Sequence, residues 1–190
     1  VGFNQTIVTY GTSLTAGGAW VDQLRDYLYE KYPGLVFIVN SGRSGANSRW
    51  GLSSIREKVI SKKPDCVFIE FAINDAVPDF MLSVHESRQN LLQMIDSIYN
   101  DNPRCDIILM TMNPRTTNGV TDEILSNYYN VYKNIAKRKN LLLIDNFESW
   151  KKLRSQDKLL FDSYIPDGCH PNANGNLALV FPNIKAIFGE

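Results

Sequence analysis

From residue 5 to residue 188 the sequence alternates between short apolar runs and longer segments whose apolar residues recur three or four positions apart. The short runs, bounded by turn residues, read as strands and the spaced segments as amphipathic helices. A strand that reaches its neighbour through a helix pairs with it in parallel, and a parallel sheet needs both faces covered. The expected fold class is therefore α/β, a three-layer α/β/α sandwich on a five-stranded parallel sheet of the flavodoxin-like kind. Right-handed crossovers favour the strand order 2-1-3-4-5.

Strands are expected at residues 5–10, 36–39, 66–71, 107–112 and 141–144, with 66–71 apolar enough to be central. The stripe Trp20, Leu24, Leu28 gives a helix stopped by Pro33-Gly34, and Leu52, Ile55 and Val59 give another. Leu91, Met94, Ile95 and Ile98 mark a third, Thr121 caps a fourth running through Tyr128, Tyr132 and Ile135, and a last helix is expected over 172–188. No repeat, low-complexity tract or linker interrupts the pattern, so 190 residues with 44% hydrophobic content read as one domain, 1–190.

Lys plus Arg and Asp plus Glu are both 20, so no net field draws the chain to nucleic acid or an anionic membrane, and a small or neutral partner is expected. No apolar run is long enough for a transmembrane segment and no signal-peptide core is present, which predicts a soluble domain. The chain opens at Val1, which fits either removal of an export signal or simple trimming. Cys66, Cys105 and Cys169 cannot all pair, and none lies in a zinc-binding spacing, so neither a disulfide scaffold nor a metal site is expected. Cys66 and Cys105 open two strand-like runs that could be neighbours, but free thiols are the simpler expectation. The Gly-rich phosphate-binding motifs are absent.

Ligands of an open parallel sheet collect at the carboxyl ends of its strands. Tyr10-Gly11-Thr12-Ser13-Leu14-Thr15 follows the first strand, so Ser13 is a candidate nucleophile, although Gly-Thr-Ser also suits ordinary turn and cap chemistry. Two histidines could serve as its base. His85 opens a polar helix and reads as a surface residue, whereas His170 stands in Pro166-Asp167-Gly168-Cys169-His170-Pro171. Asp167, three residues before His170, can reach the imidazole Nδ1 and leave Nε2 for the serine proton. Gly45 can offer a backbone N–H to a developing oxyanion and Asn74 its side-chain amide. The elbow Gly-x-Ser-x-Gly of α/β-hydrolases does not fit, because Thr15 takes the final position.

Gly11-Thr12-Ser13-Leu14, Gly45, Asn74-Asp75 and Asp167-x-x-His170-Pro171, in that order and spanning nearly the whole chain, resemble the four blocks of the SGNH hydrolases, the GDSL esterase/lipase superfamily. The resemblance implies Ser13 as nucleophile, His170 as base oriented by Asp167, and an oxyanion hole of the Ser13 and Gly45 N–H groups with the Asn74 amide. It implies no cofactor and no metal. Thr12 departs from the family's usual Asp and Ala72 from its usual Gly, which bears on the loops around Ser13 and Asn74. The expected function is a serine esterase working through an acyl-enzyme, with an acetylated carbohydrate as the substrate; small-molecule or oligosaccharide esters are the expected partners. Trp20 and Trp50 are candidate sugar platforms, Trp20 also reading as core, and Asn47, Arg49 and Asn113 are candidate rim hydrogen-bonders. A lipid acyl hydrolase of the lysophospholipase or thioesterase kind and a non-catalytic carbohydrate-binding domain are the alternatives.

Overall fold

The computed structural model describes residues 4–189; residues 1–3 and 190 of the expected domain lie outside the described residues. Five strands, β1 Gln5–Gly11, β2 Val36–Asn40, β3 Cys66–Glu70, β4 Asp106–Thr111 and β5 Leu142–Asp145, pair in parallel in the expected order β2-β1-β3-β4-β5. Central β1 and β3 bury Val8, Tyr10, Val67, Phe68 and Ile69 almost completely, whereas Phe37 and Leu142 of the edge strands are half exposed. That gradient is what a sheet covered on both faces requires.

Between the strands run α1 Ser13–Ala16, α2 Ala19–Lys31, α3 Ser48–Lys58, α4 Ala72–Asp75, α5 Val84–Asp101 and α6 Asp122–Lys139. Helices α3, α5 and α6 pack side by side over one face. Asn47, Ser83 and Thr121 cap them by accepting backbone N–H groups of the first turn, and Asn140 ends α6 in the left-handed region at φ 54°. Trp20 is fully buried and donates to the Leu14 carbonyl at 2.7 Å, so it is a core residue that fastens α2 to α1.

Two features differ from the expected layout. Helices α7 Phe147–Gln156 and α8 Lys158–Tyr164 fill the stretch after β5, where the sequence pattern gave no helix. Their buried side chains are few, chiefly Phe147, Trp150 and Phe161, among the charges of Glu148, Lys151, Lys152 and Arg154. The last helix also is not regular: α9 Ala173–Gly175 passes through a wide π turn at Asn176–Val180 into α10 Phe181–Lys185 and a 3-10 turn, Ala186–Phe188. Pro182 explains it, since it has no N–H and its ring would meet the Ala178 carbonyl in a regular helix. Helix α10 packs on α2 and β5, covering the second face.

Cys66, Cys105 and Cys169 are free thiols. No helix among the described residues is long and apolar enough to cross a membrane.

Candidate active site

Register places Gly11, the last residue of β1, beside Glu70, the last of β3, and this pair shapes the turn that follows. Oε1 of the buried Glu70 accepts the Thr12 N–H at 2.7 Å and the hydroxyls of Thr12 and Thr15 at 2.8 Å each. A Cβ on Gly11 would lie 2.4 Å from Glu70 Oε1 and 2.5 Å from its carbonyl oxygen, so only glycine fits there. The Thr12 hydroxyl also accepts the Leu14 N–H at 3.1 Å, capping the single turn α1 that begins with Ser13. The departure at Thr12 is thereby accounted for: a hydroxyl caps as a carboxylate would and, unlike one, donates to Glu70 as well. Burial raises the Glu70 carboxyl, against the hydrogen bonds from Thr15 and Thr12, to about 7. Its second oxygen, Oε2, has no partner.

Ser13 Oγ lies 2.8 Å from His170 Nε2, and His170 Nδ1 lies 2.6 Å from Asp167 Oδ2. Asp167 Oδ1 accepts the N–H groups of Cys169 at 2.9 Å and His170 at 2.7 Å. Burial acts to raise the Asp167 carboxyl, but the His170 and Cys169 donors outweigh it and hold the group at about 2. An ionised carboxylate only accepts, so Nδ1 carries the imidazole proton and the Nε2 lone pair faces the serine hydroxyl. Two bonds from the end of β4 steady this loop: Asn113 Nδ2 donates to the Cys169 carbonyl at 2.8 Å and the Thr116 N–H to the Gly168 carbonyl at 2.9 Å. His85 is exposed at the start of α5, and the histidine in contact with Ser13 is His170.

Gly45 and Asn74 face the same hollow, of about 500 Å³, as Ser13 and His170. Gly45 has φ +72°, the left-handed region where a side chain is strained, which is how the loop turns toward the serine. Asn74 is buried in α4; its Nδ2 donates to the Ala46 carbonyl at 2.8 Å and its Oδ1 accepts from Arg115 Nη1 at 3.0 Å. Ala72 opens α4 without a positive φ, so its methyl group is tolerated where the family has Gly. Asp75 accepts the Ser48 N–H at 2.7 Å and the Ser87 hydroxyl at 2.5 Å, tying α4 to α3 and α5, and burial raises its carboxyl to about 6.

The structure does not bring the proposed substrate residues to this hollow. Asn47 is the α3 cap, accepting the N–H groups of Arg49 and Trp50. Trp50 lines a separate hollow of about 360 Å³ beside β2, where Arg43 stacks 5.3 Å above its ring. Asn113 is fully buried, its amide spent on the Pro114 and Cys169 carbonyls. Arg49 clamps the wall of the hollow instead, donating to the Phe80 carbonyl at 2.8 Å and the Met81 carbonyl at 3.0 Å while pairing with Glu86. Sequence reasoning missed Arg115, Asn118 and Asp79, which do line it. A signal for two of them existed in the polar stretch Arg115-Thr116-Thr117-Asn118-Gly119 directly after the β4 end, the place where ligands collect. Among the described residues no group of three or more His, Cys, Asp or Glu side chains could hold a metal ion.

Comparison with known proteins bears on what this geometry belongs to. Axe2, an acetylxylan esterase from Geobacillus stearothermophilus, superposes with a TM-score of 0.80 at 24% identity, over 100% of this chain and 96% of that one. A point mutant of Axe2, an acetyl-xylooligosaccharide esterase, gives 0.82 at 24% identity over the same shares. At this identity the likeness is one of fold. A GDSL esterase/lipase of Arabidopsis thaliana is 31% identical over 124 residues, 57% of this chain, and the chain spans about half (50%) of that plant protein's length. The model of the GDSL-like lipase/acylhydrolase family matches residues 8–178, from within the first strand to past the histidine. The four sequence blocks, the sheet order and the family match agree, and the chain belongs to the GDSL-like lipase/acylhydrolase family.

Proposed function

We propose that the chain is a serine esterase that removes short acyl groups, acetyl above all, from carbohydrate esters. The observation that carries the reading is the continuous relay from Ser13 Oγ to His170 Nε2 at 2.8 Å and from His170 Nδ1 to Asp167 at 2.6 Å. Ser13 attacks the acyl carbonyl as His170 takes its proton, and the ionised Asp167 stabilises the imidazolium. The N–H groups of Ser13 and Gly45 and the remaining Asn74 N–H receive the oxyanion. His170 then protonates the departing alcohol, and water, deprotonated by the same imidazole, cleaves the acyl-enzyme.

The acyl preference rests on the shape and polarity of the site. The hollow at Ser13 carries Ser44, Asp79, Arg115 and Asn118, polar groups suited to a hydroxylated alcohol, and Val77 and Phe80, apolar groups suited to a short acyl chain. A groove with the apolar lining an acyl chain would need, bounded by Ile7, Leu28, Val36 and Ile108, opens at the other end of the sheet, near the starts of the strands. The two openings lie at opposite ends of β1, which runs from Gln5 in the lining of the groove to Gly11, two residues before Ser13. The acetylxylan esterase activity named for the structural neighbour Axe2 points the same way.

Hydrolysis of p-nitrophenyl esters from acetyl to palmitoyl tests this. Turnover is expected to be confined to acetyl and propionyl esters, with acetylated xylo-oligosaccharides then cleaved; rates that climb with chain length overturn the carbohydrate reading in favour of a lipid or thioester substrate. A serine-reactive phosphonate that fails to label Ser13 would instead favour a carbohydrate-binding domain without turnover. In the same assay Asn74→Ala is expected to lower kcat about a hundredfold with KM little changed, the mark of a group acting in the transition state. A loss confined to KM contradicts that role.

A further inference from the structure

Asn74 has more of its hydrogen-bonding capacity committed than an oxyanion donor alone requires. One N–H of its amide goes to the Ala46 carbonyl at 2.8 Å, and its Oδ1 receives Arg115 Nη1 at 3.0 Å. A primary amide has two N–H donors, so one polar hydrogen is left for a ligand, and Asn74 lines the hollow together with Ser13. Turning the amide over would set Oδ1 against the Ala46 carbonyl and the NH2 group against a guanidinium. Both contacts would then repel.

We propose that Arg115 is a positioning residue for the oxyanion donor: its guanidinium locks the Asn74 amide with the free N–H toward Ser13 and polarises that N–H. The proposal rests on the reading of Asn74 given above. Ala46 secures the nitrogen end of the amide and Arg115 the oxygen end, so neither alone fixes the plane. A cation on the amide oxygen draws electron density from the nitrogen and strengthens the remaining donor; at a side chain only 6% exposed, solvent does little to screen the effect. Arg115 is itself held, its Nε donating to Thr117 Oγ1 at 3.2 Å. The next residue, Thr116, bonds the Gly168 carbonyl at 2.9 Å, so one loop braces both the amide and the histidine segment.

A double-mutant cycle with Asn74 is the test, on p-nitrophenyl acetate. Arg115→Ala is expected to lower kcat about tenfold with KM nearly unchanged, and in the Asn74→Ala background to cost less than about twofold more. Arg115→Gln, which keeps a donor and loses the charge, is expected to fall between alanine and wild type. A loss of undiminished size in the Asn74→Ala background, or one confined to KM, means that Arg115 acts on the substrate directly and overturns the proposal. A second readout needs no turnover: the Asn74 side-chain N–H resonances, assigned by their disappearance in Asn74→Ala, are expected to shift and exchange faster in Arg115→Ala. Unchanged resonances overturn the lock whatever the activity. Absence of Ser13-dependent hydrolysis in the wild type would count against the esterase reading, and the resonances would still decide the lock.

Discussion

Ser13→Ala and His170→Ala are each expected to slow hydrolysis of p-nitrophenyl acetate by about ten-thousandfold to a millionfold, with the double variant scarcely slower than either. The non-additivity follows from the geometry: Ser13 Oγ and His170 Nε2 share one contact, at 2.8 Å, and neither can act without the other. Asp167→Asn is expected to cost less, about a hundredfold to ten-thousandfold. Its amide nitrogen would face Nδ1 and force the wrong tautomer, but the Asp167 carboxylate is 54% exposed and water can take part of its place. Steady-state kinetics with unchanged melting temperatures would show that the loss is chemical. Activity in His170→Ala within tenfold of wild type would remove His170 as the base.

The second large effect is on stability. Glu70 is held at about 7 against an ordinary 4.5, and Asp75 at about 6 against 3.8. A buried acid whose titration is raised keeps its proton in the folded state while the unfolded chain gives it up, so stability falls as pH rises through that window. Each pH unit of displacement is worth about 1.4 kcal/mol, which for Glu70 amounts to about 3 kcal/mol lost between about pH 4.5 and 7. The charge of Asp75 adds to the effect, and the buried phenols of Tyr129 and Tyr132 feel the Glu70 carboxylate in turn. Glu70→Gln keeps an oxygen for the donors of Thr12 and Thr15 and removes the proton equilibrium. Denaturant unfolding from pH 4 to 8 is therefore expected to show the variant gaining on the wild type by about 3 kcal/mol as pH rises. Parallel curves would mean that Glu70 does not titrate in this range.

What the sequence made legible was what depends on local pattern. All five strands and the Thr121 cap follow from apolar runs and turn residues, and the order 2-1-3-4-5 follows from the handedness of crossovers. Ser13, Gly45, Asn74, Asp167 and His170 could be named because each sits at a strand end or opens the last helical segment, and the structure gathers them around one hollow or its relay. Other features depended on packing across the fold. Glu70 reads as one polar residue in an apolar strand, and only the register that sets it beside Gly11 gives it three donors from the serine turn. Asn113 and Arg115 lie two residues apart, yet one is buried and the other reaches the hollow, a difference that loop geometry decides and spacing does not. Helices α7 and α8 were invisible because a charge-rich segment with so few buried apolar positions leaves little periodic signal.

The position of α7 and α8 in the chain, between the last strand and the histidine segment, has a consequence for how the molecule comes into being. Every strand lies within residues 5–145, and so do Ser13, Gly45, Asn74 and Arg115, whereas Asp167 and His170 follow only after α7 and α8. A chain emerging from the ribosome folds from its N-terminal end, at about 5–20 residues per second. The residues of the sheet and Ser13 are thus synthesised seconds before His170, and until then Ser13 Oγ lacks its partner at 2.8 Å. On the esterase reading proposed above, a chain that stops short of residue 170 therefore holds the nucleophile without its base.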